Sequence, residues 1–398
     1  MATPKLRFDG FSGNWVTTQL GNVCSFTQGV QIPQSEQINE ERDGYIRYLY
    51  IRDFFSDKFK CYVPNIYPEK IIHPHEIMMV NTGNTTGEAY TGRYGVLSNN
   101  SFKISYDLAH FNDQFMYLFC SSELAQNQIK KFFNAGGQPH LGHKNISQIL
   151  ISYPKKEEQT KIASFLCAVD EKISQLTQKH ALLSQYKQGM MQKLFSQQLR
   201  FKADDGSEFG EWEDKTISEI ASYRRGSFPQ PYGLPEWLDE NGFPFVQVYD
   251  VADNMLLKDK TKIKISQLAA NQSVLAKAGT LIITLQGSIG RVAKMQYDAY
   301  VDRTLLIFQS YAMPIDTDYF KYALYLLFNI EKEKADGGII KTITKETLSK
   351  FNIGIPCLEE QTKIANFLSA IDQKIEVVAQ QIEQAKQWKK GLLQQMFV

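Results

Sequence analysis

The sequence lacks the features of membrane and secreted proteins. No apolar run reaches the roughly 18 residues that a membrane-spanning helix needs, because Lys321 interrupts the best stretch. The N-terminal residues contain no apolar signal-peptide core. The five cysteines lie far apart without a Cys-x-x-Cys pair, which predicts reduced thiols and no structural zinc. We therefore expect a cytoplasmic protein that makes no contact with membranes.

An excess of charge of one sign is also missing. The chain has 44 Lys and Arg against 43 Asp and Glu, a net charge of +1. Any surface that binds anions must therefore be a local patch, because the protein as a whole is nearly neutral. The composition, 43% apolar and 22% charged, is typical of a globular protein, and 398 residues suggest two or three domains.

Motifs of catalysis are absent from the sequence. It contains no GxxxxGK[ST] phosphate loop, no GxGxxG dinucleotide fingerprint and no Asn-Pro-Pro-aromatic run. His73 and His75, and likewise His140 and His143, have no cysteine or carboxylate at ligand spacing. We interpret these histidines as surface or loop residues and expect no metal site. The chain is predicted to perform no chemistry of its own.

What the sequence does contain is a long internal repeat. Residues 157–173 recur at 359–375 with 13 of 17 positions identical, and 187–195 recur at 389–397 with the same offset of 202. Fainter similarity links the segments between them. The repeat predicts two globular domains that alternate with two helical segments. The predicted segments are residues 1–153, 154–200, 201–355 and 356–398.

Both helical segments space apolar residues alternately by three and four positions, which is the pattern of a coiled-coil seam. Pro154 and Pro356 precede them, and acidic residues at each start suit the positive end of a helix. The first helix leads to the second globular domain, so paired seams require an antiparallel arrangement with approximate two-fold symmetry. The seam is predicted to contain Ile162, Leu166, Val169, Ile173, Leu176, Leu183, Ile364, Leu368, Ile371, Ile375, Val378 and Ile382.

The globular segments have the pattern of mixed α and β structure. Short β-branched and aromatic runs, such as 45–53 and 280–285, alternate with Gly, Asn, Asp and Ser. One helix is expected near the end of each segment, over 112–133 and 316–334. The predicted fold class is α+β, with two globular domains separated by a long antiparallel two-helix coiled coil and related by a pseudo-two-fold.

Polar side chains cluster around glycine turns at corresponding places in the two copies. Arg, Lys, Asn and Gln can read base edges, and Lys, Arg, Ser and Thr hold phosphates. Each residue alone is most often a solvated surface residue, but the set favours nucleic-acid binding. The candidates are Asn84, Thr85, Arg93, Gln138, His140, Lys144, Arg224, Arg225, Gln286, Ser288, Arg291 and Lys341.

One run identifies a family resemblance. Pro-x-x-Glu-Glu-Gln-x-x-Ile-Ala-x-x-Leu-x-x-x-Asp-x-x-Ile begins at Pro154 and again at Pro356. It resembles the conserved region of type I restriction–modification specificity subunits. The Leu-Arg-Phe runs that begin at Leu6 and Leu199, each followed by a tryptophan, also resemble that family. The resemblance covers the whole chain, and each globular segment corresponds to a target recognition domain.

The resemblance implies a non-catalytic subunit that reads a bipartite, asymmetric site in double-stranded DNA, one half per recognition domain. It implies that the helices dock two methylation subunits and that two restriction–translocation subunits can join. S-adenosylmethionine, ATP and Mg²⁺ would then be bound by those partners and no cofactor by this chain. The location would be the cytoplasm of a bacterium or archaeon, in association with the nucleoid.

Two alternatives remain open from the residues themselves. The chain could be a scaffold or adaptor whose repeated domains bind proteins. It could also be a self-contained restriction or methylation enzyme, which the missing motifs disfavour.

Overall fold

A computed structural model describes residues 3–133, 139–287, 289–334 and 344–398. The chain divides into two compact units. Unit 1 comprises Met1–Gln178 with Ala379–Val398, and unit 2 comprises Lys179–Val378. Each unit therefore contains one globular domain together with parts of both long helical segments.

The described strands of unit 1 form a short antiparallel pair and two four-stranded sheets. The pair consists of β1 (Val16–Gln19) and β10 (Leu150–Tyr153). The first sheet has the strand order β2 (Cys24–Gln28), β9 (Ser101–Tyr106), β6 (Ile77–Val80) and β7 (Ala89–Tyr90). The second sheet has the strand order β4 (Tyr62–Pro64), β3 (Tyr45–Leu49), β8 (Gly95–Leu97) and β5 (Ile71–Ile72). β3 and β8 are parallel, and the other neighbours are antiparallel. All four residues of β6 are buried, which explains why its sequence is continuously apolar.

Unit 2 repeats this topology. Its pair consists of β11 (Glu213–Thr216) and β20 (Asn352–Ile355). Its first sheet has the strand order β12 (Ala221–Arg225), β19 (Leu305–Tyr311), β16 (Leu281–Thr284) and β17 (Val292–Lys294). Its second sheet has the strand order β14 (Ile263–Ile265), β13 (Leu238–Val246), β18 (Ala299–Val301) and β15 (Val274–Ala276). The parallel neighbours are again the equivalent strands, β13 and β18. The two globular domains thus share one framework.

The helix predicted over 112–133 is two helices, α1 (Asp113–Ser121) and α2 (Glu123–Lys130). The break occurs because Ser122 takes an extended backbone conformation and its hydroxyl accepts a hydrogen bond from the Ala125 amide. The equivalent helix in unit 2, α7 (Thr317–Lys334), is continuous as predicted. The remaining short helices are α3 (His143–Ser147), α5 (Ile217–Ile220), α6 (Gln267–Ala270) and α8 (Lys345–Ser349).

The strand predicted over 45–53 is also shorter than expected. It ends at Leu49, and residues Ile51–Phe54 form a 3-10 turn. The turn is stabilised by the buried carboxylate of Asp53, which accepts hydrogen bonds from the Tyr50 amide at 2.8 Å and from Arg47 at 2.9 Å.

The long helices are α4 (Lys156–Phe195) and α9 (Leu358–Met396). In unit 1 the start of α4 shares a core with the end of α9, through Ile162 and Leu166 against Leu392 and Met396. In unit 2 the end of α4 shares a core with the start of α9. The helices are therefore antiparallel within each unit.

Every residue of the predicted seam is buried or half-buried; Ile173, Leu183 and Ile375 are the half-buried ones. Each unit also has an ion pair between the helices. Lys389 meets Asp170 at 2.6 Å in unit 1, and Lys187 meets Asp372 at 2.5 Å in unit 2. Burial lowers the pKa of Lys187, and the Asp372 carboxylate partly offsets this.

The most conserved part of the repeat attaches each long helix to its globular domain. Glu158 accepts hydrogen bonds from Arg7 at 2.7 and 2.8 Å, and Glu360 accepts from Arg200 at 3.1 and 2.7 Å. Both carboxylates are buried. The residue after each glutamate, Gln159 or Gln361, bonds to the backbone of the chain that precedes the helix. The repeated Glu-Gln motif therefore has a structural role inside each unit.

Candidate nucleic-acid interface

In unit 1, strand β6 is connected to strand β7 by a turn that contains Gly87. We call this turn the glycine loop. It comprises residues 81–88. Gly87 has φ +92°, and an added Cβ would lie 2.8 Å from the Ile129 side chain, so only glycine fits. The loop leaves Asn84 exposed and Thr85 half-buried.

The segment before α3 lies against this loop. The Thr82 hydroxyl is 2.9 Å from Nδ1 of His140, and the Leu141 amide donates to the Asn81 carbonyl at 2.8 Å. Lys144 is exposed on the first turn of α3. The structure thus brings the predicted residues Asn84, Thr85 and His140 to one surface, whereas Gln138 lies outside the described residues.

Arg93 contacts the segment that connects β3 to β4 and not the glycine loop itself. Its guanidinium contacts the Asp57 carboxylate at 3.1 and 3.2 Å, and Arg47 contacts the same carboxylate at 3.0 Å. These arginines lower the pKa of Asp57, with Arg93 the larger influence. Arg93 therefore borders the chain that connects β3 to β4.

Unit 2 has an equivalent glycine loop, residues 285–290, after β16. Gly290 has φ +74°, and an added Cβ would lie 2.8 Å from Phe328. Gln286 is exposed on this loop, and Ser288 lies outside the described residues. Arg291, directly after the loop, pairs with Asp253 at 2.7 Å and donates to the Val251 carbonyl at 3.1 Å.

Two further candidates of unit 2 are on β12. Arg224 and Arg225 are both exposed at the end of that strand. The next residue, Gly226, approaches strand β18 so closely that an added Cβ would lie 2.1 Å from the Val301 carbonyl oxygen. Gly29 makes the matching approach in unit 1, 2.0 Å from the Ser98 carbonyl. Lys341, the last candidate, lies outside the described residues.

Sequence reasoning missed a group of amide side chains in unit 1. Asn81 donates to Gln28 at 3.0 Å, Gln28 donates to the Asn99 carbonyl at 2.6 Å, and Asn99 reaches Gln31 at 3.4 Å. Asn99 and Gln31 are exposed, and both amides have further hydrogen-bonding capacity. Amide side chains can bind adenine through two hydrogen bonds, so this group extends the candidate surface. These residues are far apart in the sequence, and no spacing pattern connects them.

Histidines of both predicted pairs pack against neighbouring rings. His73 and His75 stack at 5.8 Å, and His143 packs on Phe102 at 5.1 Å. Across the described part of the chain, no group of three or more His, Cys, Asp or Glu side chains could hold a metal ion. No helix in the same part is long and apolar enough to cross a membrane.

The chain contains two copies of one α+β framework, and each copy is joined to antiparallel helices and has its own polar loops. This arrangement is that of a protein with two related recognition domains. The family described as the type I restriction modification DNA specificity domain matches this chain twice, at residues 12–185 and 210–387. The chain belongs to this family, as the repeated run at Pro154 and Pro356 indicated.

Two relatives come from Methanocaldococcus jannaschii. The type I restriction enzyme MjaVIII specificity subunit is 26% identical over 400 residues, which cover 96% of this chain and 91% of that protein. The putative type I restriction enzyme MjaX specificity subunit is 26% identical over 293 residues, which cover 71% of this chain and 66% of that protein.

Solved structures with the same fold include the S subunit of a type I restriction–modification system from M. genitalium. It has a TM-score of 0.61 at 15% identity and covers 100% of this chain and 99% of its own. A chain from a structural study of complex assembly and conformational transition in the type I R-M system has a TM-score of 0.62 at 18% identity, with coverage of 96% and 97%. The predicted fold class, mixed α and β with two recognition domains and a two-helix coiled coil, is confirmed. The chain is a type I restriction–modification specificity subunit, whose role is DNA sequence recognition.

Proposed function

We propose that the chain reads a bipartite, asymmetric site in double-stranded DNA, with one half read by each unit. The observation that supports this is the contrast between a shared framework and different loops. Gly87 and Gly290 shape the glycine loops in the same way, but unit 1 presents the carboxamides of Asn84 and Asn99, whereas unit 2 presents the Gln286 carboxamide beside the Arg291 guanidinium. Two surfaces with different hydrogen-bonding groups select different base sequences.

The chain is proposed to be non-catalytic and to act within a larger complex. S-adenosylmethionine, ATP and Mg²⁺ would bind to methylation and restriction subunits, and this chain would supply sequence selection. Its net charge of +1 supports a division of labour in which partner subunits make many of the phosphate contacts.

Exposed residues of the repeated helix support the docking of two identical partners. Positions 157, 168 and 172 of α4 are exposed, and they are identical to positions 359, 370 and 374 of α9, which are exposed too. At about 100° per residue these positions lie within about 60° of one another around the helix. None of them belongs to the buried face, so packing inside the units does not explain the identity. We propose that each stripe docks one methylation subunit, with restriction subunits joining the assembled complex.

Exchange of one recognition segment tests the reading function. Residues 205–350 would be replaced by the equivalent segment of another family member, and methylated sites would be mapped in cells that also contain the methylation partner. We expect one half of the methylated sequence to change and the other half to stay. A change in both halves, or in neither, would contradict the assignment of one half-site to each unit.

A bulky charge on the exposed stripe tests docking. Ala168→Arg together with Ala370→Arg should prevent assembly with the methylation subunit, as measured by size-exclusion chromatography with light scattering. Thr177→Arg is the matched control, because Thr177 is exposed on the opposite side of α4. Normal assembly of the double variant would show that the stripe is not the docking surface.

A further inference from the structure

The chain that connects β3 to β4 in unit 1, residues 50–61, carries exposed aromatic rings among cations. Phe55 and Phe59 are 62% and 61% exposed. The Arg52 guanidinium lies 5.9 Å from the Phe59 ring and 4.8 Å from the Tyr50 ring, and Lys58 lies 5.5 Å from Phe59. Two exposed phenylalanines on one short connection, next to cations, provide an apolar surface that a partner can contact.

The topologically equivalent connection in unit 2 comprises residues 247–262 between β13 and β14. It also combines an exposed aromatic ring with cations, but in a different proportion. Tyr249 is exposed, and Lys262 lies 4.9 Å from its ring. Lys258 and Lys260 are exposed beside it. We call residues 50–61 and 247–262 the basic connections.

The cations of the two basic connections form no ion pair within 4 Å among the described residues, and Lys258 and Lys262 act on the Asp250 carboxylate only at longer range. Among the ion pairs of the described ranges, none involves Arg52, Lys58 or Lys60 in unit 1, and none involves the three lysines of the unit 2 connection. With Arg47 and Arg93, the unit 1 connection has five cations against the carboxylates of Asp53 and Asp57. With Arg291, the unit 2 connection has four cations against the carboxylates of Asp250, Asp253 and Asp259. This excess of cations, larger in unit 1, produces a local positive potential in a protein that is nearly neutral overall. This potential favours phosphate as the occupant over a neutral or basic protein surface.

Each basic connection also touches the residues next to its glycine loop. In unit 1, Phe55 packs edge-on against Tyr90 at 4.8 Å, and Tyr90 is in the strand that follows the loop. In unit 2, Arg291 joins the end of the loop to Asp253 and to the Val251 carbonyl. A duplex bound at the glycine loop would therefore also meet the basic connection.

We propose that the basic connections bind DNA beside the glycine loops, a proposal that rests on the proposed function. The exposed Phe55 and Phe59 contact thymine methyl groups in the half-site read by unit 1, and Arg52, Lys58 and Lys60 bind the flanking phosphates. In unit 2 the lysines bind phosphate, and no phenylalanine of that connection reads bases. The two connections thus divide into one that reads sequence and one that positions the duplex.

The phosphate contacts are tested with the complete complex of this chain and its methylation subunits. The affinity of the complex for a duplex that contains the mapped site would be measured by fluorescence anisotropy at several salt concentrations. The triple variant Arg52→Gln/Lys58→Gln/Lys60→Gln would be compared with the unchanged chain. Three lost phosphate contacts should reduce the slope of log affinity against log salt by about 2.7. Lys179→Gln, an exposed lysine on α4, should leave the slope unchanged.

The base contacts are tested by replacing thymine with uracil in the unit 1 half-site, which removes only the methyl groups. The unchanged complex should bind the uracil duplex at least about fivefold more weakly, the lower range for a mismatched base pair. The Phe55→Ala/Phe59→Ala variant should bind both duplexes equally. Ile66→Ala, which removes another exposed apolar side chain of unit 1, should keep the preference.

The outcomes separate this proposal from the proposed function. If the unchanged complex binds its mapped site but shows no preference for thymine, or if the triple variant keeps the full salt slope, the basic connections do not bind DNA as proposed. If the variants instead fail to assemble with the methylation subunit, the connections bind protein and the proposal is wrong. Failure of the unchanged complex to bind any mapped site would refute the reading function itself.

Discussion

Replacement of Glu360 by alanine should strongly destabilise unit 2. The Glu360 side chain is fully buried and accepts hydrogen bonds from Arg200 and, at 3.1 Å, from the Trp212 indole. Alanine removes the charge and leaves both donors without their acceptor. Arg200 keeps one bond, to the Gly210 carbonyl at 2.7 Å, and its side chain is 19% exposed.

The magnitude follows from these contacts. Removal of one partner from a buried ion pair costs about 3–5 kcal/mol, and partial access of water to Arg200 places this case near the lower end, about 3 kcal/mol. The unpaired indole adds about 1 kcal/mol. For a domain of this size, about 4 kcal/mol corresponds to a fall in melting temperature of roughly 8–16 °C.

Unit 1 provides an internal comparison. Glu158→Ala breaks the equivalent pair with Arg7, but the Trp15 indole nitrogen is buried and already lacks a partner among the described residues. Glu158→Ala should therefore cost about 1 kcal/mol less than Glu360→Ala. Glu359→Ala, at an exposed neighbouring carboxylate, should change stability by at most about 0.5 kcal/mol.

Hydrogen–deuterium exchange with mass spectrometry at increasing guanidinium concentrations measures the opening of each unit separately, which a single melting curve cannot do. We expect faster exchange in unit 2 for Glu360→Ala and in unit 1 for Glu158→Ala. Equal effects of Glu360→Ala and Glu359→Ala would refute the role of the buried pair.

Three further predictions concern the seam, the repeat and the glycine loop. Ile375→Asp places a carboxylate at a half-buried seam position, so the free energy of unfolding should fall by about 3 kcal/mol or more. The variant should be insoluble or should fail to bind the methylation subunit in pull-down assays. A variant that assembles normally would contradict the assignment of Ile375 to the seam. A fragment that ends at Arg200 should form a weak antiparallel homodimer, because Asp170 of one copy can meet Lys187 of the other, and a monomer in light scattering would exclude interchangeable halves. Gly87→Val should destabilise unit 1 by about 2 kcal/mol or more in denaturant titrations, because valine is strained at φ +92° and meets a packed helix; wild-type stability would show that the loop adapts.

The duplication made most of the architecture predictable from the sequence. Helices α4 (Lys156–Phe195) and α9 (Leu358–Met396) lie inside the predicted segments 154–200 and 356–398, because a seam of apolar residues over ten turns is an unambiguous signal. The break at Ser122 was not predicted, because apolar residues on both sides of it continue the helical pattern. The turn at Ile51–Phe54 was missed because its residues are as apolar and aromatic as those of the preceding strand.

The candidate interface was less accessible to sequence reasoning. Glycines marked the loops correctly, since Gly87 and Gly290 permit backbone conformations that other residues rarely adopt. The amide group around Gln28 and the contact of Arg291 with Asp253 depend on which strands are neighbours, and a single sequence does not show this. The basic connections have a signal in the sequence, the lysines of Lys58-Phe-Lys60 and Lys258-Asp-Lys260, but these lie outside the glycine turns that defined the candidate residues.

The internal repeat separates two demands on the same chain. Residues that are identical in both copies and buried, such as Glu158 and Glu360, are explained by the attachment of each helix to its domain. Identical residues that are exposed on the helices are not explained by burial, and we propose a common partner as the reason for their identity. Residues that differ include those of the glycine loops and the basic connections on a shared framework, where a substitution changes hydrogen-bonding groups at little cost in stability. A subunit with this division can acquire a new half-site by changing the loops of one unit, because neither the helix attachment nor the exposed helix stripe has to change with them.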